Sequence, residues 1–324
     1  MSAMGQSTLT LTQVAKEPLK AEEGSHLPSF RTLLACTDLS PASRRALEKA
    51  GQICRLAGAR LLLLHVSQTG PFSARPGDGK EDLAEEFCLS DRKLEQYAEE
   101  LRRSGVVVER LLEDGTPADV ILRCMDDRNV DLVILGTHGM VGKERLFCGS
   151  TAEEVLRKAH RPVMTVGPRA ARNEGEKMGP VIFATDFHAS STEAVRYAAA
   201  LAETTNAPLH CLHVLPLAIE VEGRAPIIPH VMTEALRHLL AQKQITLKDV
   251  HCTVAYGSDV SRAIVEYADA HDAQAIILGV QRASWLAVHM APHITYRIIV
   301  TAPCPVLTTS LEAEPYHLQA VACL

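Results

Sequence analysis

The sequence predicts an α/β protein built from two tandem doubly wound domains, each with a five-stranded parallel sheet. Three observations support this fold class. The segment 33–66 aligns without a gap with 181–214, at a constant offset of 148 residues. Short apolar runs alternate with longer helical stretches within each half. The length of 324 residues fits about two average domains. The repeat is far longer than a solenoid unit and therefore indicates a duplicated domain.

The first half shows the order of elements most clearly. We predict strands at 31–36, 61–66, 106–112, 131–136 and 162–166. We predict helices at 41–57, 117–127 and 151–159, and a further long helix that ends near residue 103. Ser40 is the predicted N-cap of the first helix, and Gly58 lies just past its end. Near-continuous apolar strands separated by helices are typical of a parallel sheet covered on both faces and joined by right-handed crossovers.

The domain boundaries follow from the repeat and from composition. They are a loosely ordered extension at 1–28, a first domain at 29–168, a linker at 169–178, a second domain at 179–311 and a tail at 312–324. The second domain is the less charged, with 8 basic and 11 acidic residues against 20 and 21 in the first. This difference suggests a larger interface or a more apolar pocket in the second domain.

Composition limits the class of protein. The formal net charge of −6 offers nucleic acid no general attraction. The nine cysteines are scattered without a CxxC pair, which is typical of a reducing compartment. The N-terminus lacks the pattern of a secretory signal, and no apolar run approaches the roughly 20 residues of a membrane span. We therefore expect a cytoplasmic protein that binds neither nucleic acid nor membrane.

A glycine-rich segment follows the fourth strand of the first half. Gly136 and Gly139 are followed, after nine residues, by Gly149, Ser150 and Thr151, which open a helix. Glycines leave backbone amides open to an oxyanion, and a helix start adds free N–H groups and a positive dipole end. Parallel sheets bind ligands at this edge. The segment predicts a phosphate cradle; the alternative is a tight loop followed by a capping box from Ser150 to Glu153.

Two common nucleotide motifs are absent. Lys143 is followed by Glu144, so the segment is not a Walker loop, and no GxGxxG follows the first strand. These absences disfavour a P-loop hydrolase and a dinucleotide-dependent dehydrogenase.

The glycine spacing, the Thr-Asp that ends the first strand and the His-Val that ends the second together resemble the universal stress protein family. The chain resembles a tandem member of that family. The resemblance implies a Rossmann-like fold of the adenine-nucleotide α-hydrolase type, binding ATP alone or with Mg²⁺. Asp38 would meet the ribose or a metal ion, and the backbone of Val66 would meet adenine. The phosphates would be held by Gly136, Gly139, Gly149, Ser150 and Thr151. It also implies domain pairing within the chain through the fifth strands, and a homodimer.

The second half departs from this pattern. Arg282 stands in place of Gly139, Pro292 in place of Gly149 and His293 in place of Ser150. Proline lacks the N–H that a phosphate would need, and arginine fills the loop. We predict that the second domain keeps the fold and has lost this nucleotide site.

Other candidate residues carry weaker signals. Asp38 is alternatively the N-terminal charge of the first helix. His65 and His213 end equivalent strands, which favours a shared packing or hydrogen-bonding role. Cys148 precedes a helix start and is a candidate redox thiol. We identify no catalytic residue and no metal ligand set.

These patterns leave three functions open. The first is a stress-response regulator or sensor that binds ATP in its first domain. The second is a slow ATPase or phosphoryl-transfer enzyme at the same site, which lacks an identifiable base. The third is a binding module for an apolar small molecule in the second domain.

Overall fold

Both halves of the chain fold into the same succession of strands and helices. The computed structural model describes residues 27–68, 80–137, 149–170, 178–216, 227–281 and 294–311. Most of the predicted N-terminal extension, linker and C-terminal tail lie outside these residues.

The elements of the first half alternate between strand and helix. They are β1 (Thr32–Thr37), α1 (Arg44–Ala57), β2 (Arg60–Ser67), α2 (Lys80–Arg103), β3 (Val107–Asp114), α3 (Pro117–Asp127), β4 (Leu132–Gly136), α4 (Ser150–Lys158) and β5 (Val163–Val166). Gly58 ends α1 in the left-handed region at φ 63°, as predicted.

The predicted start of α1 was wrong by one turn. The N-cap is Ser43 and not Ser40, because residues 40–43 form a turn of their own. In this turn Ser43 N donates to Ser40 Oγ at 3.2 Å, and Ser43 Oγ donates to Ser40 O at 2.9 Å.

The second half repeats this alternation. Its elements are β6 (Val181–Ala184), α5 (Ala189–Thr205), β7 (Leu209–Pro216), α6 (Ile227–Gln242), β8 (Val250–Gly257), α7 (Val260–Ala270), β9 (Ala275–Gln281), α8 (Ile294–Thr301) and β10 (Val306–Leu311). The two halves are thus two doubly wound α/β domains, as the sequence predicts.

The ten strands form one sheet in the order β3-β2-β1-β4-β5-β10-β9-β6-β7-β8. The five strands of each half are parallel to one another, and β5 pairs antiparallel with β10 through Leu307 opposite Met164. This is the pairing of fifth strands that the resemblance implies. Because the junction is antiparallel, the carboxyl ends of the two sets of strands lie at opposite edges of the sheet.

Helices cover both faces of the sheet and bury two apolar layers. One layer includes residues of α1, α2, α5 and α6, and the other includes residues of α3, α4, α7 and α8. Each layer runs through both halves without a break. In the described part of the chain, no helix has both the length and the hydrophobicity to cross a membrane.

A lysine is buried in this packing. Lys49 of α1 is 9% exposed, and its Nζ donates to Gln52 Oε1 at 3.2 Å. Burial lowers the pKa of its ammonium group to about 8. The charged form is therefore disfavoured in the folded state.

Three imidazoles meet in the second half. The His210 ring on β7 lies 4.8 Å from the His251 ring on β8 and 5.3 Å from the His271 ring that follows α7. His210 Nδ1 is 3.1 Å from the hydroxyl of Tyr267, and His251 Nε2 is 2.8 Å from Asp249 Oδ1. Burial, followed by the two neighbouring imidazoles, lowers the pKa of His210 to about 4, although Asp249 acts in the opposite direction.

The first half fills the corresponding place differently. Leu62 stands at the position of His210, and Arg128 at the end of α3 donates to Glu109 of β3 at 2.6 Å. The Arg128–Glu109 ion pair and the buried Leu62 thus stand at the positions of the three imidazoles.

We expect Lys49→Met to raise the free energy of unfolding by about 2 kcal/mol at pH 7, because it removes a buried ammonium. The wild-type penalty is present below pH 8 and disappears as the pH rises towards 10.5. The difference between the two proteins in urea unfolding should therefore shrink over that range. Lys248→Met, at an exposed position, is the control; an equal gain there would contradict the assignment to burial.

We also expect the protein to lose stability as the pH falls from 6.5 to about 4, because the unfolded state then binds a proton that folded His210 refuses. His210→Leu should remove about 1 kcal/mol of this pH-dependent loss in thermal or urea unfolding. His230→Leu, at an exposed position of α6, controls for the loss of a histidine. A pH slope unchanged in His210→Leu would show that the cluster does not set it.

Candidate functional site

The turn between β1 and α1 forms one wall of the candidate site. Leu39 adopts φ 60°, a left-handed conformation that is strained for a branched residue. Its N–H donates to Thr37 Oγ1 at 2.9 Å, and that hydroxyl lies 2.8 Å from Ser43 Oγ. The turn places Asp38 in an exposed position at the tip of β1.

The second half builds the same turn from different residues. Phe187 adopts φ 64°, and its N–H donates to Thr185 Oγ1 at 2.9 Å. Thr185 Oγ1 again lies 2.8 Å from a serine hydroxyl, that of Ser191. Sequence reasoning missed the part that Ser43 and Ser191 play in these turns, although both are serine at the repeat offset of 148. Their recurrence in two otherwise different turns shows that the threonine–serine contact holds the strained residue in place.

The Asp38 carboxylate anchors the turn. Its Oδ1 accepts a hydrogen bond from Ser40 N at 3.0 Å. Loss of water contact raises the pKa of Asp38, but hydrogen bonds from Ser40 and Ser43 lower it further, so the net shift is downward. Asp38 is therefore ionised at neutral pH. It lies in the turn before Ser43, outside the first turn of α1, so its predicted alternative role as a helix N-terminal charge is wrong.

The equivalent carboxylate of the second half, Asp186, contacts two neighbouring side chains. Asp186 Oδ2 lies 3.0 Å from His188 Nδ1, and its Oδ1 accepts from Ser191 Oγ at 2.7 Å. Loss of water contact opposes ionisation of Asp186, but the bonds from Ser191 and His188 lower its pKa. The first half has Ser40 at the position of His188 and cannot form this imidazole–carboxylate contact.

The end of β4 lies against the turn. Gly136 is the last residue of β4 and pairs with Val166 of β5. A Cβ on Gly136 would lie 3.6 Å from the Cα of Ser43, so a larger side chain would run into the turn. The end of β4, which pairs with β1, therefore lies close to the turn that follows β1.

Thr137 and Gly149 lie side by side beyond the end of β4. Thr137 is 1% exposed, and its N–H donates to Val166 O at 3.2 Å. Its carbonyl accepts from Gly149 N at 2.6 Å. The hydrogen bond therefore holds Gly149, the residue before α4, against Thr137 at the end of β4.

Helix α4 starts directly after Gly149. Gly149 is its N-cap, and Ser150 and Thr151 are its first two residues. No side chain of the described residues caps this helix, so the capping box expected between Ser150 and Glu153 is wrong: Ser150 lies inside the helix. Within the described residues, the N–H groups of Ser150 and Thr151 thus have no capping side chain.

Val66 lies at the end of β2 that faces the same edge. The pairing of β1 with β2 ends at Thr37 opposite His65, whereas Val66 still pairs with Glu113 of β3. Val66 is half-buried, and its backbone extends beyond β1. In the described part of the chain, the tip of β2 is thus paired on one side only, with β3.

His65 and His213 have the shared role that their repetition suggests. His65 Nδ1 donates to Thr37 O at 2.8 Å, and His213 Nδ1 donates to Thr185 O at 2.8 Å. Burial lowers the pKa of His65 and keeps its imidazole neutral. Both histidines tie the second strand of their half to the end of the first.

Several predicted residues lie outside the described part of the chain. They are Gly139 and Cys148 in the first half, and Arg282, Pro292 and His293 in the second. The described residues contain no group of three His, Cys, Asp or Glu side chains arranged to hold a metal ion. The structure therefore brings together Asp38, Val66, Gly136, Gly149, Ser150 and Thr151 at one sheet edge.

Known proteins resemble this chain in sequence and in structure. The universal stress protein MJ0531 of Methanocaldococcus jannaschii is 30% identical over 142 residues, which are 42% of this chain and 82% of that protein. A universal stress protein from Archaeoglobus fulgidus has a similar structure, with a TM-score of 0.67 at 21% identity over 89% of this chain and 99% of that one. The functionally unknown protein PA1789 from Pseudomonas aeruginosa gives 0.56 at 17% identity over 87% and 93%. At these identities the two structures show a common fold.

The sequence model of the universal stress protein family matches this chain twice, at residues 29–167 and 178–310. The two matches cover both repeated halves of the ten-stranded sheet. The chain therefore belongs to the universal stress protein family and contains its domain in tandem.

Proposed function

We propose that the chain binds ATP in its first domain and acts as a nucleotide-dependent regulator or sensor in a stress response. The observation that carries this proposal is the hydrogen bond from Gly149 N to Thr137 O. It sets the uncapped start of α4 beside the tip of β4 and the turn of Asp38. Uncapped N–H groups and a helix dipole favour a phosphate.

The donor set at this edge suits the parts of a nucleotide. The backbone N–H groups of Ser150 and Thr151 suit the phosphates, and Gly136, Gly139 and Gly149 carry no side chain that would obstruct them. The one-sided backbone at Val66 suits the polar edge of adenine. The ionised Asp38 would repel phosphate directly, so it suits ribose hydroxyls or a Mg²⁺ ion held between it and the phosphates.

We propose that the second domain does not bind ATP in this way. Its turn carboxylate Asp186 is already paired with His188, at 3.0 Å. Its sequence carries Arg282 and Pro292 at the positions of two cradle glycines. The alternative of an apolar ligand in this domain is tested by mass spectrometry of molecules released from the purified protein, and an empty second domain would count against it.

The sheet also bears on assembly. Both fifth strands are paired with each other within the chain, through β5 and β10. A homodimer, which we keep as a proposal together with a cytoplasmic location, must therefore use a surface other than these strands.

The cradle is tested by the double variant Gly139→Arg, Gly149→Pro, which copies the second domain. Proline at 149 removes the N–H that donates to Thr137 O, and arginine at 139 adds a bulky charged side chain. We expect the Kd for ATP, measured by calorimetry, to rise at least about 100-fold, a loss of about 2.7 kcal/mol. Asp186→Ala is the control and should leave the Kd unchanged. An unchanged Kd in a folded double variant would refute the cradle.

A turnover assay with Mg²⁺ separates the sensor from the slow enzyme. The proposal expects Asp38→Ala to weaken ATP binding about tenfold, or about 1.4 kcal/mol. It also expects the wild type to release phosphate no faster than this variant at saturating ATP. Phosphate release that is clearly faster in the wild type would favour the ATPase alternative.

A further inference from the structure

We propose that Cys211 and Cys252 form a peroxide-oxidisable dithiol site in the second domain, which closes to a disulfide between neighbouring strands. This site is separate from the proposed nucleotide site of the first domain. It lies on β7 and β8, and β8 is the terminal strand of the sheet.

The register of the sheet opposes the two thiols. Cys211 pairs directly with Cys252 in the parallel ladder, so both side chains project from the same face. Neighbouring strands lie about 4.8 Å apart, and disulfides join Cα atoms separated by about 4.4–6.8 Å. The two residues are therefore within the separation a disulfide requires, and both are free thiols here.

The two thiols differ in exposure and acidity. Cys211 is 1% exposed, whereas Cys252 is half-buried. The Cys211 thiol donates a hydrogen bond to the Cys252 sulfur, and this bond lowers the pKa of Cys252 to about 7 and raises that of Cys211. Cys252 is thus the attacking thiolate, and Cys211 is the buried resolving thiol.

The charged groups that face the pair lie on α6. Arg237 favours the Cys252 thiolate and Glu234 disfavours it. The two side chains form an ion pair with each other, so their effects on Cys252 partly cancel. The hydrogen bond from Cys211 therefore sets the acidity of Cys252.

Other described thiols lack this arrangement. Burial raises the pKa of Cys54 and Cys304 to about 12, and Cys88 is exposed on α2. In the first half the same register opposes Leu63 to Arg110. The opposed pair is thus a feature that the second domain has and its duplicate lacks.

The chemistry balances with a hydroperoxide as the oxidant. The Cys252 thiolate attacks a peroxide oxygen; the S–O bond forms, the O–O bond breaks, and the leaving oxygen takes a proton to become water or an alcohol. Cys211 then attacks the sulfenic sulfur; the S–S bond forms, the S–O bond breaks, and hydroxide takes the Cys211 proton to become water. Two thiols lose two electrons and two protons, which the peroxide accepts.

The test treats the reduced full-length protein with hydrogen peroxide, blocks the remaining thiols and maps the peptides by mass spectrometry. We expect a linked peptide pair that contains Cys211 and Cys252, and its loss on reduction with dithiothreitol. Cys88→Ser is the matched control and should form the same link at the wild-type rate.

Two variants separate the steps. Cys211→Ala should leave a sulfenic acid at Cys252 that dimedone traps, and Cys252→Ser should give neither link nor trap. Circular dichroism verifies that each variant is folded. Serine is used at Cys252 because this half-buried position tolerates a polar side chain better than the buried position of Cys211 does. A wild-type protein that accumulates the dimedone adduct at Cys252, links either cysteine to another thiol, or leaves both reduced while Cys88 oxidises would overturn the proposal.

Discussion

The antiparallel pairing of β5 with β10 is the constraint on which the rest of the structure depends. The backbone bonds of this short junction join two five-stranded sheets into one, and both apolar layers continue across it. The carboxyl edges of the two halves consequently face opposite ways. Each half must therefore build its site from its own loops, because the strand ends of the other half lie at the far edge.

The strained turn after the first strand shows how much of the site belongs to the fold. Leu39 and Phe187 differ in size and chemistry, yet both take a positive φ under the same threonine and serine. The turn is thus a framework common to both copies. What differs is the use of its carboxylate, because His188 pairs with Asp186 and nothing of that kind is encoded at Ser40. The second domain thus keeps the conformation of the turn, but its carboxylate contacts a histidine that the first domain lacks.

The second domain is more than a degenerate copy. Its terminal strands carry a pair of opposed histidines on one face and a pair of opposed cysteines on the other, at consecutive positions of the same register. The first domain has leucine, glutamate and arginine at these positions. Imidazoles and thiols titrate and oxidise where an ion pair and a leucine do not. The second domain thus carries imidazoles and thiols at positions where the first has leucines, a glutamate and an arginine.

The sequence by itself determined the duplication, the fold class, most elements to within a few residues and the glycine spacing of the cradle. Those features are local or periodic, so they are visible along the chain. It misplaced the start of α1, because the N-cap depends on which hydroxyl the preceding turn engages, and it left open a capping box at Ser150, a residue that lies inside α4. Only the tertiary structure decided that Thr137 closes on Gly149, that Asp186 is paired, and that Cys211 opposes Cys252. The first and the third are contacts between residues distant in sequence, and the Asp186–His188 contact depends on the conformation of a turn. Strand register and turn geometry bring these groups together.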